Sequence, residues 1–246
     1  MTSHAQDYPA GACIPSHRHA RAQLLYAAAG TMTVTAESGS WVIPADRALW
    51  IPPGVGHAIR VGAKLAMRTL YVAPGAAAGL PRQCRVLQVT PLLRELVLAA
   101  TALGARESGS RARRIRALIL DELRQIPAMP LYLPTARSVR LQKVTTALAA
   151  DPADRRTLGQ WAREAGMSPR NLARAFLKET GLGFRLYRRQ ARLLAALERL
   201  AAGRPVTGVA LDLGYDSPSA FIAMFRRALG ATPKRYFGTA ASPGRA

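Results

Sequence analysis

Arg170, Asn171, Arg174 and Lys178 recur at the three- and four-residue spacing that gathers side chains on one face of a helix. Such a face has one obvious chemistry. A guanidinium donates a bidentate pair to the edge of guanine, a carboxamide matches adenine, and Lys or Arg holds phosphates. A second run, Ser219, Ala220, Ala223, Arg226 and Arg227, has the same periodicity. One basic helix face is usually only a solvated surface. Two faces built to the same plan on one chain are a different matter.

The elements that carry these faces are an internal repeat. Leu172, Phe176 and Gly181 return 49 positions later as Phe221, Phe225 and Gly230. Each copy starts with a short helix, turns at a glycine (Gly166, Gly214) and restarts at a serine followed by proline (Ser168-Pro169, Ser217-Pro218). A serine hydroxyl accepts the free N–H groups of a new helix, and proline at the next position gives up no bond. Each copy is thus predicted to be a helix-turn-helix, with Ser168 and Ser217 at the start of its second helix. Between them, Phe184 to about Ala202 reads as a helix with Leu186, Leu193, Leu194, Leu197 and Leu200 on its apolar face and Gly203 as its stop. It would span roughly 28 Å, close to the spacing of about 34 Å between successive major grooves. Arg185, Arg188, Arg189 and Arg192 on this helix are either phosphate contacts or a solvated face.

Composition agrees with a nucleic-acid partner. The 246 residues carry 35 Lys and Arg against 14 Asp and Glu, a formal charge of +21. Only +3 of it falls in residues 1–80, so the excess lies beyond the N-terminal third. Because 31 of the basic residues are Arg, genome composition is the bland competing account. No run approaches the ~18–20 apolar residues of a membrane-spanning helix, which favours a soluble nucleic-acid binder. The first ten residues carry no basic-then-apolar leader, so a cytoplasmic location is expected. Cys13 and Cys84 fit no metal or redox spacing.

The N-terminal third reads differently. From Ala22 to about Val72, short apolar runs (Leu24-Leu25-Tyr26, Met32-Thr33-Val34, Trp41-Val42-Ile43, Ala48 to Ile51) are broken by Gly30, Pro44, Pro52-Pro53-Gly54 and Gly62. That is a meander of short strands, as in a small sandwich or barrel. Two amphipathic helices follow, one after Thr90-Pro91 with Leu92, Leu93, Leu96, Val97 and Ala100, and one with Ile115, Leu118, Ile119, Leu120 and Leu123. Their stripes either tether the domains and offer a surface for self-association or bury on their own subunit. Pro127, Pro130 and Pro134 mark a linker. The expected division is a strand-rich domain at 1–80, a helical linker and dimerisation region at 81–133, the DNA-binding domain at 134–238 and a disordered tail at 239–246.

The stretch from Leu211 to Phe237 resembles the C-terminal signature of the AraC/XylS family of transcription regulators. Gly214, Tyr215, Ser217, Phe221, Phe225, Arg226, Gly230, Thr232 and Pro233 all fall where that pattern has them, and the likeness continues back to Trp161. The resemblance implies promoter DNA as the partner of both helix-turn-helix units, RNA polymerase as a protein partner and a homodimer.

A second resemblance concerns three of the four histidines. Gly11, His17, His19, Gln23 and Gly30 are similar to the first motif of the cupin superfamily, with Gln23 where a glutamate is usual. Pro52, Gly54 and His57 resemble the second motif, although Asp46 and Val61 stand where it has Gly and Asn. This implies a two-domain α+β chain whose N-terminal domain is a cupin-like β-barrel or jelly roll, joined through helices to an all-α C-terminal domain. It also implies a small-molecule effector pocket at His17, His19, Gln23, Tyr26, Trp50 and His57, with Trp41 as a further candidate. The three histidines would be the ligands of a divalent metal, matching the preference of imidazole for Zn, Fe, Cu or Ni. The reading is a regulator without catalysis. Its competitors are a metal-dependent cupin dioxygenase or isomerase carrying a DNA-binding tail, and an alkyl-acceptor repair protein, which needs a reactive cysteine.

Overall fold

The computed structural model describes residues 1–103, 109–129 and 131–238. The expected tail at 239–246 lies outside the described residues. The first six strands are β1 (Thr2–Tyr8), β2 (Cys13–His17), β3 (Ala22–Ala36), β4 (Gly39–Pro44), β5 (Arg47–Ile51) and β6 (His57–Val72). After a tight helical turn come β7 (Arg85–Gln88), helices α1 (Pro91–Leu103) and α2 (Ser110–Gln125), and the short β8 (Ala128–Met129).

Gly30 and Gly62, read as strand breaks, instead lie inside the long β3 and β6. The two strands pair antiparallel from Ala22 with Val72 to Ala36 with His57, and register shifts between Ala27 and Met32 bend them. Gly30, at φ 82°, sits at this bend, and a Cβ there would overlap the Lys64 carbonyl. Along its length β3 thus pairs β6, and from Gln23 to Ala27 also β5. β1 pairs along β6 from Thr2 with Tyr71 to Tyr8 with Leu65, and β2 also pairs β6. The main order is β1-β6-β3-β5-β7-β8. The polar sequence of β1 hides its strand character, because its middle residues are exposed and only its pairing holds it.

The pleat gives β3 two faces. Ala22, Leu24 and Tyr26 point to the same side as Ala48, Trp50, Leu70 and Val72, and this side is covered by Leu93, Leu96, Val97, Ile119 and Leu123 of α1 and α2. Each such side chain contributes roughly 1.5–3 kcal/mol when buried, so the inward positions of both stripes pack on their own subunit. Only Leu92 and Leu118 of the two stripes are strongly exposed. The chain accordingly does not divide at residue 80. Contacts group Met1–Ala36 with Trp41–Leu131 as one unit, and Glu37–Ser40 with everything from Tyr132 onward as the other.

The second unit contains β9 (Tyr132–Pro134) and helices α3 (Val139–Ala150), α4 (Leu158–Glu164), α5 (Pro169–Thr180), α6 (Phe184–Ala201), α7 (Val206–Asp212), α8 (Pro218–Leu229) and α9 (Pro233–Gly238). α6 runs where the periodicity predicts it, with one correction. Leu186 is exposed, and Phe184, Tyr187 and Ala191 take the inward positions beside Leu193, Leu194, Leu197 and Leu200. Tyr187 meets the Phe176 ring edge-on at 5.0 Å and donates its hydroxyl to the Pro134 carbonyl at 2.9 Å, which turns the neighbouring Leu186 outward.

Candidate nucleic-acid interface and ligand pocket

Both helix-turn-helix units are built by the same local chemistry. Gly166 and Gly214 take left-handed φ values of 64° and 73°, which a side chain rarely adopts, and so turn the chain between helices. Ser168 Oγ then accepts the Asn171 N–H at 3.2 Å, and Ser217 Oγ accepts the Ala220 N–H at 3.2 Å. The two serines of the expected DNA-binding set are therefore N-caps, each supporting its helix by about 1 kcal/mol. Behind the first unit, Trp161, Ala162, Leu172 and Phe176 are buried; behind the second, Val209, Ala210, Phe221 and Phe225 are.

The outer faces come out as the spacing predicts. Arg170, Asn171, Arg174 and Lys178 are exposed on α5, and Ser219, Ala220, Ala223, Arg226 and Arg227 on α8. Arg174 Nη2 donates to Asn171 Oδ1 at 3.4 Å, which brings together the two side chains expected to read bases. The four arginines of α6 divide. Arg188 donates to the carbonyls of Asp154 and Arg156, and Arg192 Nε to the Pro152 carbonyl at 3.0 Å, so both tie α6 to the loop before α4. Arg185 and Arg189 face solvent. In the same loop Arg156 lies over the Trp161 ring at 3.6 Å and pairs with Asp154 at 2.6 Å and Glu164 at 2.7 Å. Burial opposes ionisation of Asp154, but the Arg156 hydrogen bonds outweigh it and hold the carboxyl below its usual range.

In the first unit His17, His19 and His57 converge, with one ligand atom from each lying within 4.8 Å of the others. Ring centroids are 4.8 Å apart for His17 and His19, 4.4 Å for His17 and His57, and 5.7 Å for His19 and His57. A carbonyl can only accept, so His17 Nδ1–H donates to Pro15 at 2.8 Å and His57 Nδ1–H to Val55 at 3.1 Å. That tautomer leaves each Nε2 lone pair free. Burial pushes the His57 pKa down against the raising effect of its Val55 hydrogen bond, with the other imidazoles adding to the fall, and burial followed by His17 lowers that of His19, which favours the neutral ligand form. The Nε2 atoms of His19 and His57 and Gln23 Oε1 are buried without a hydrogen-bond partner. An imidazole donor set with unsatisfied buried atoms fits a divalent metal or a polar ligand.

Tyr26 and Trp50 are not part of this pocket. They stand on the opposite face of the sheet, beneath α1 and α2, with the Tyr26 hydroxyl donating to Asp46 at 3.2 Å and Trp50 Nε1 donating to the Pro81 carbonyl at 2.8 Å. Trp41 is buried. The residue that does join the histidines is Tyr71, paired with Gln23 across the sheet. Its ring lies 5.0 Å from His19, and its hydroxyl accepts from Gln23 Nε2 at 3.4 Å. The pleat could have found it, since Tyr71 shares parity with His57 and Thr69 on β6. Cys13 is exposed, and burial pushes the Cys84 thiol up to about 11, away from the reactive thiolate an alkyl acceptor needs.

Family comparisons meet these two sites. An AraC-like ligand binding domain matches residues 1–142 and a helix-turn-helix domain matches residues 161–239. The chain belongs to the AraC family. This AraC-family chain is 40% identical over 232 residues to the HTH-type transcriptional regulator NimR of Escherichia coli K12, which covers 93% of this chain and 85% of the relative. It is 36% identical over 112 residues to the HTH-type transcriptional regulator RipA of Corynebacterium glutamicum, covering 46% of this chain and 33% of the relative. Among solved structures it is similar to ToxT from Vibrio cholerae, at 10% identity and a TM-score of 0.43 over 98% of this chain and 100% of that one. The AraC-family chain is a DNA-binding transcription regulator with an N-terminal ligand-binding domain. Among its described residues no helix is long and apolar enough to cross a membrane.

Proposed function

We propose that this regulator binds a small-molecule effector at His17, His19, Gln23, His57 and Tyr71, and that the bound state changes how its two helix-turn-helix units engage promoter DNA. The observation that carries the reading is the set of buried polar atoms without partners in the pocket, His19 Nε2, His57 Nε2 and Gln23 Oε1. Leaving such atoms unsatisfied costs roughly 1–3 kcal/mol each, which a ligand recovers. An effector shifts a regulator only through different affinities for two states, so the pocket must differ between them. A divalent metal held by the three histidines would supply a Lewis-acidic anchor for that effector. With Gln23 in place of a carboxylate the pocket is a binding site, and no catalytic residue is assigned.

On the DNA side, Arg170, Asn171, Arg174 and Lys178 of α5 and Ser219, Ala220, Ala223, Arg226 and Arg227 of α8 face the duplex. The protein works in the cytoplasm as a homodimer, with RNA polymerase as its protein partner at the promoter.

The test is genomic footprinting with the purified full-length protein, followed by effector titration on the promoter found. The double variant His17→Ala/His57→Ala is expected to keep DNA affinity and lose the effector response. An unchanged titration in that variant removes the pocket assignment, and failure of the protein to protect any promoter removes the regulator's DNA reading.

A further inference from the structure

The two recognition helices have the same frame and different tips. Both run for 12 residues from a serine N-cap and a first-turn proline to a left-handed glycine. Superposed by the 49-residue repeat, Arg170 corresponds to Ser219, Asn171 to Ala220 and Arg174 to Ala223. The three exposed side chains in the first half of α5 able to make a bidentate pair with a base, Arg170, Asn171 and Arg174, are thus a hydroxymethyl or a methyl on α8. Alanine offers a base edge nothing but apolar contact with a thymine methyl. Only toward the end of the helix does the second unit regain charge, at Arg226 and Arg227.

What the second unit has instead is a basic groove at its side. A cavity of about 630 Å³ is lined by Arg185, Arg188, Arg189 and Arg192 of α6 together with Tyr215 and Met224. Arg188 and Arg192 are fixed by backbone carbonyls, and Arg192 lies 5.4 Å from the centre of the Tyr215 ring, just before the Ser217 cap. Arg185 and Arg189, one turn apart, are exposed at the same groove. Guanidinium groups at this density suit a phosphate backbone and carry no base preference.

We propose that the units divide the labour: α5 discriminates bases through Arg170, Asn171 and Arg174, while α8 seats in its groove with little base discrimination and the α6 arginines Arg185 and Arg189 hold the adjacent phosphates. This rests on the reading that both units face DNA. The site of each subunit then spans two successive grooves but carries its sequence information under one of them.

Full-length protein is used to select duplexes from a randomised library, and each base pair of the selected site is then substituted in turn. Within each subunit's site, substitutions under one half are expected to lower affinity about five- to 150-fold each, and under the other half less than about threefold. Arg185→Ala/Arg189→Ala is expected to weaken binding equally on every duplex and to reduce the slope of log affinity against log salt by about 2, with base preferences kept. Arg174→Ala is expected to erase the preference at one position. As a gain of function independent of folding losses, Ala220→Asn/Ala223→Arg is expected to create a new base preference in the silent half. Equal penalties under both halves, or a changed base preference in the α6 variant, overturn the division. If selection enriches no sequence at all, the underlying assignment of base-reading faces falls, and the division falls with it.

Discussion

Glu179 at the end of α5 accepts the backbone N–H groups of both Arg137 and Ser138 through one carboxylate oxygen, each at 2.8 Å. Those donors stand at the start of α3, where no helical carbonyl reaches them, and the Ser138 hydroxyl does not cap its own helix. The first recognition helix is therefore clamped at its far end to the helix that opens the DNA-binding unit. Burial opposes ionisation here, but the hydrogen bonds from Ser138 and Arg137 outweigh it and hold Glu179 below its usual range.

Glu179→Ala is expected to cost about 1.5–3 kcal/mol, the range for hydrogen bonds to a charged group. Because the folded-state pKa is depressed, the stabilisation is complete above the unfolded value of about 4.3 and fades as pH falls through the folded value. Thermal melts of the wild type and the variant should differ most near pH 7 and converge in acid. A gap independent of pH would assign the loss to packing and not to the carboxylate.

The helical unit was legible because its signals are local. A serine before a proline, a glycine three or four residues upstream of that proline, and large apolar residues four apart each act within one or two turns, and the 49-residue repeat says them twice. The strand domain was legible in class but not in detail, because strand partners are distant in sequence. β1 reads as polar coil until β6 is beside it, and Gly30 reads as a break until Lys64 is seen across from it. Aromatic character alone assigns Tyr26 and Trp50 to the pocket, whereas Tyr26 lies three positions from Gln23 and must face the other way in a pleat. Tyr71 was missed for the complementary reason, its place being set by pairing with Gln23, 48 positions away.

The two tyrosines give a direct test of those faces. The Tyr26 hydroxyl is pushed up to about 12, first by burial and then by Asp46, and its hydrogen bond to Asp46 belongs to the core under α1. Tyr26→Phe is expected to lower stability by about 1 kcal/mol and leave effector affinity unchanged. Tyr71→Phe removes the hydroxyl that meets Gln23 inside the pocket, so it is expected to weaken effector binding several-fold with little change in the melt. Isothermal titration alongside thermal melts separates the outcomes, and a reversal of the two phenotypes would place the ligand on the helix-covered face.

Leu186 and Phe176 test the rotation of α6 in the same spirit. Phe176 is fully buried, meeting Phe184 at 5.7 Å and Tyr187 at 5.0 Å, whereas Leu186 is 39% exposed. Phe176→Ala is expected to cost about 3–5 kcal/mol and to abolish DNA binding with the fold of the first unit. Leu186→Ala is expected to stay within about 0.5 kcal/mol of the wild type. A large loss at Leu186 in a urea titration would mean that the helix buries the face its leucine spacing first suggested.

The histidine cluster separates a metal from a direct organic contact by mass action. A ligand that binds only the folded state stabilises it by about 2.7 kcal/mol at one hundred times its dissociation constant. If the three Nε2 atoms take a metal, added Zn(II) or Co(II) is expected to raise the melting temperature of the wild type, Co(II) to give visible absorption bands, and His57→Ala to lose both while Tyr26→Phe keeps them. His57 is the decisive position because its side chain is buried and its Nδ1 is already committed to Val55, leaving Nε2 as its single free donor atom. Equal responses in the wild type and His57→Ala would put the ion elsewhere on the chain. A wild-type melt unmoved by either metal, with the effector response intact, would make the imidazoles direct hydrogen-bond partners of the effector.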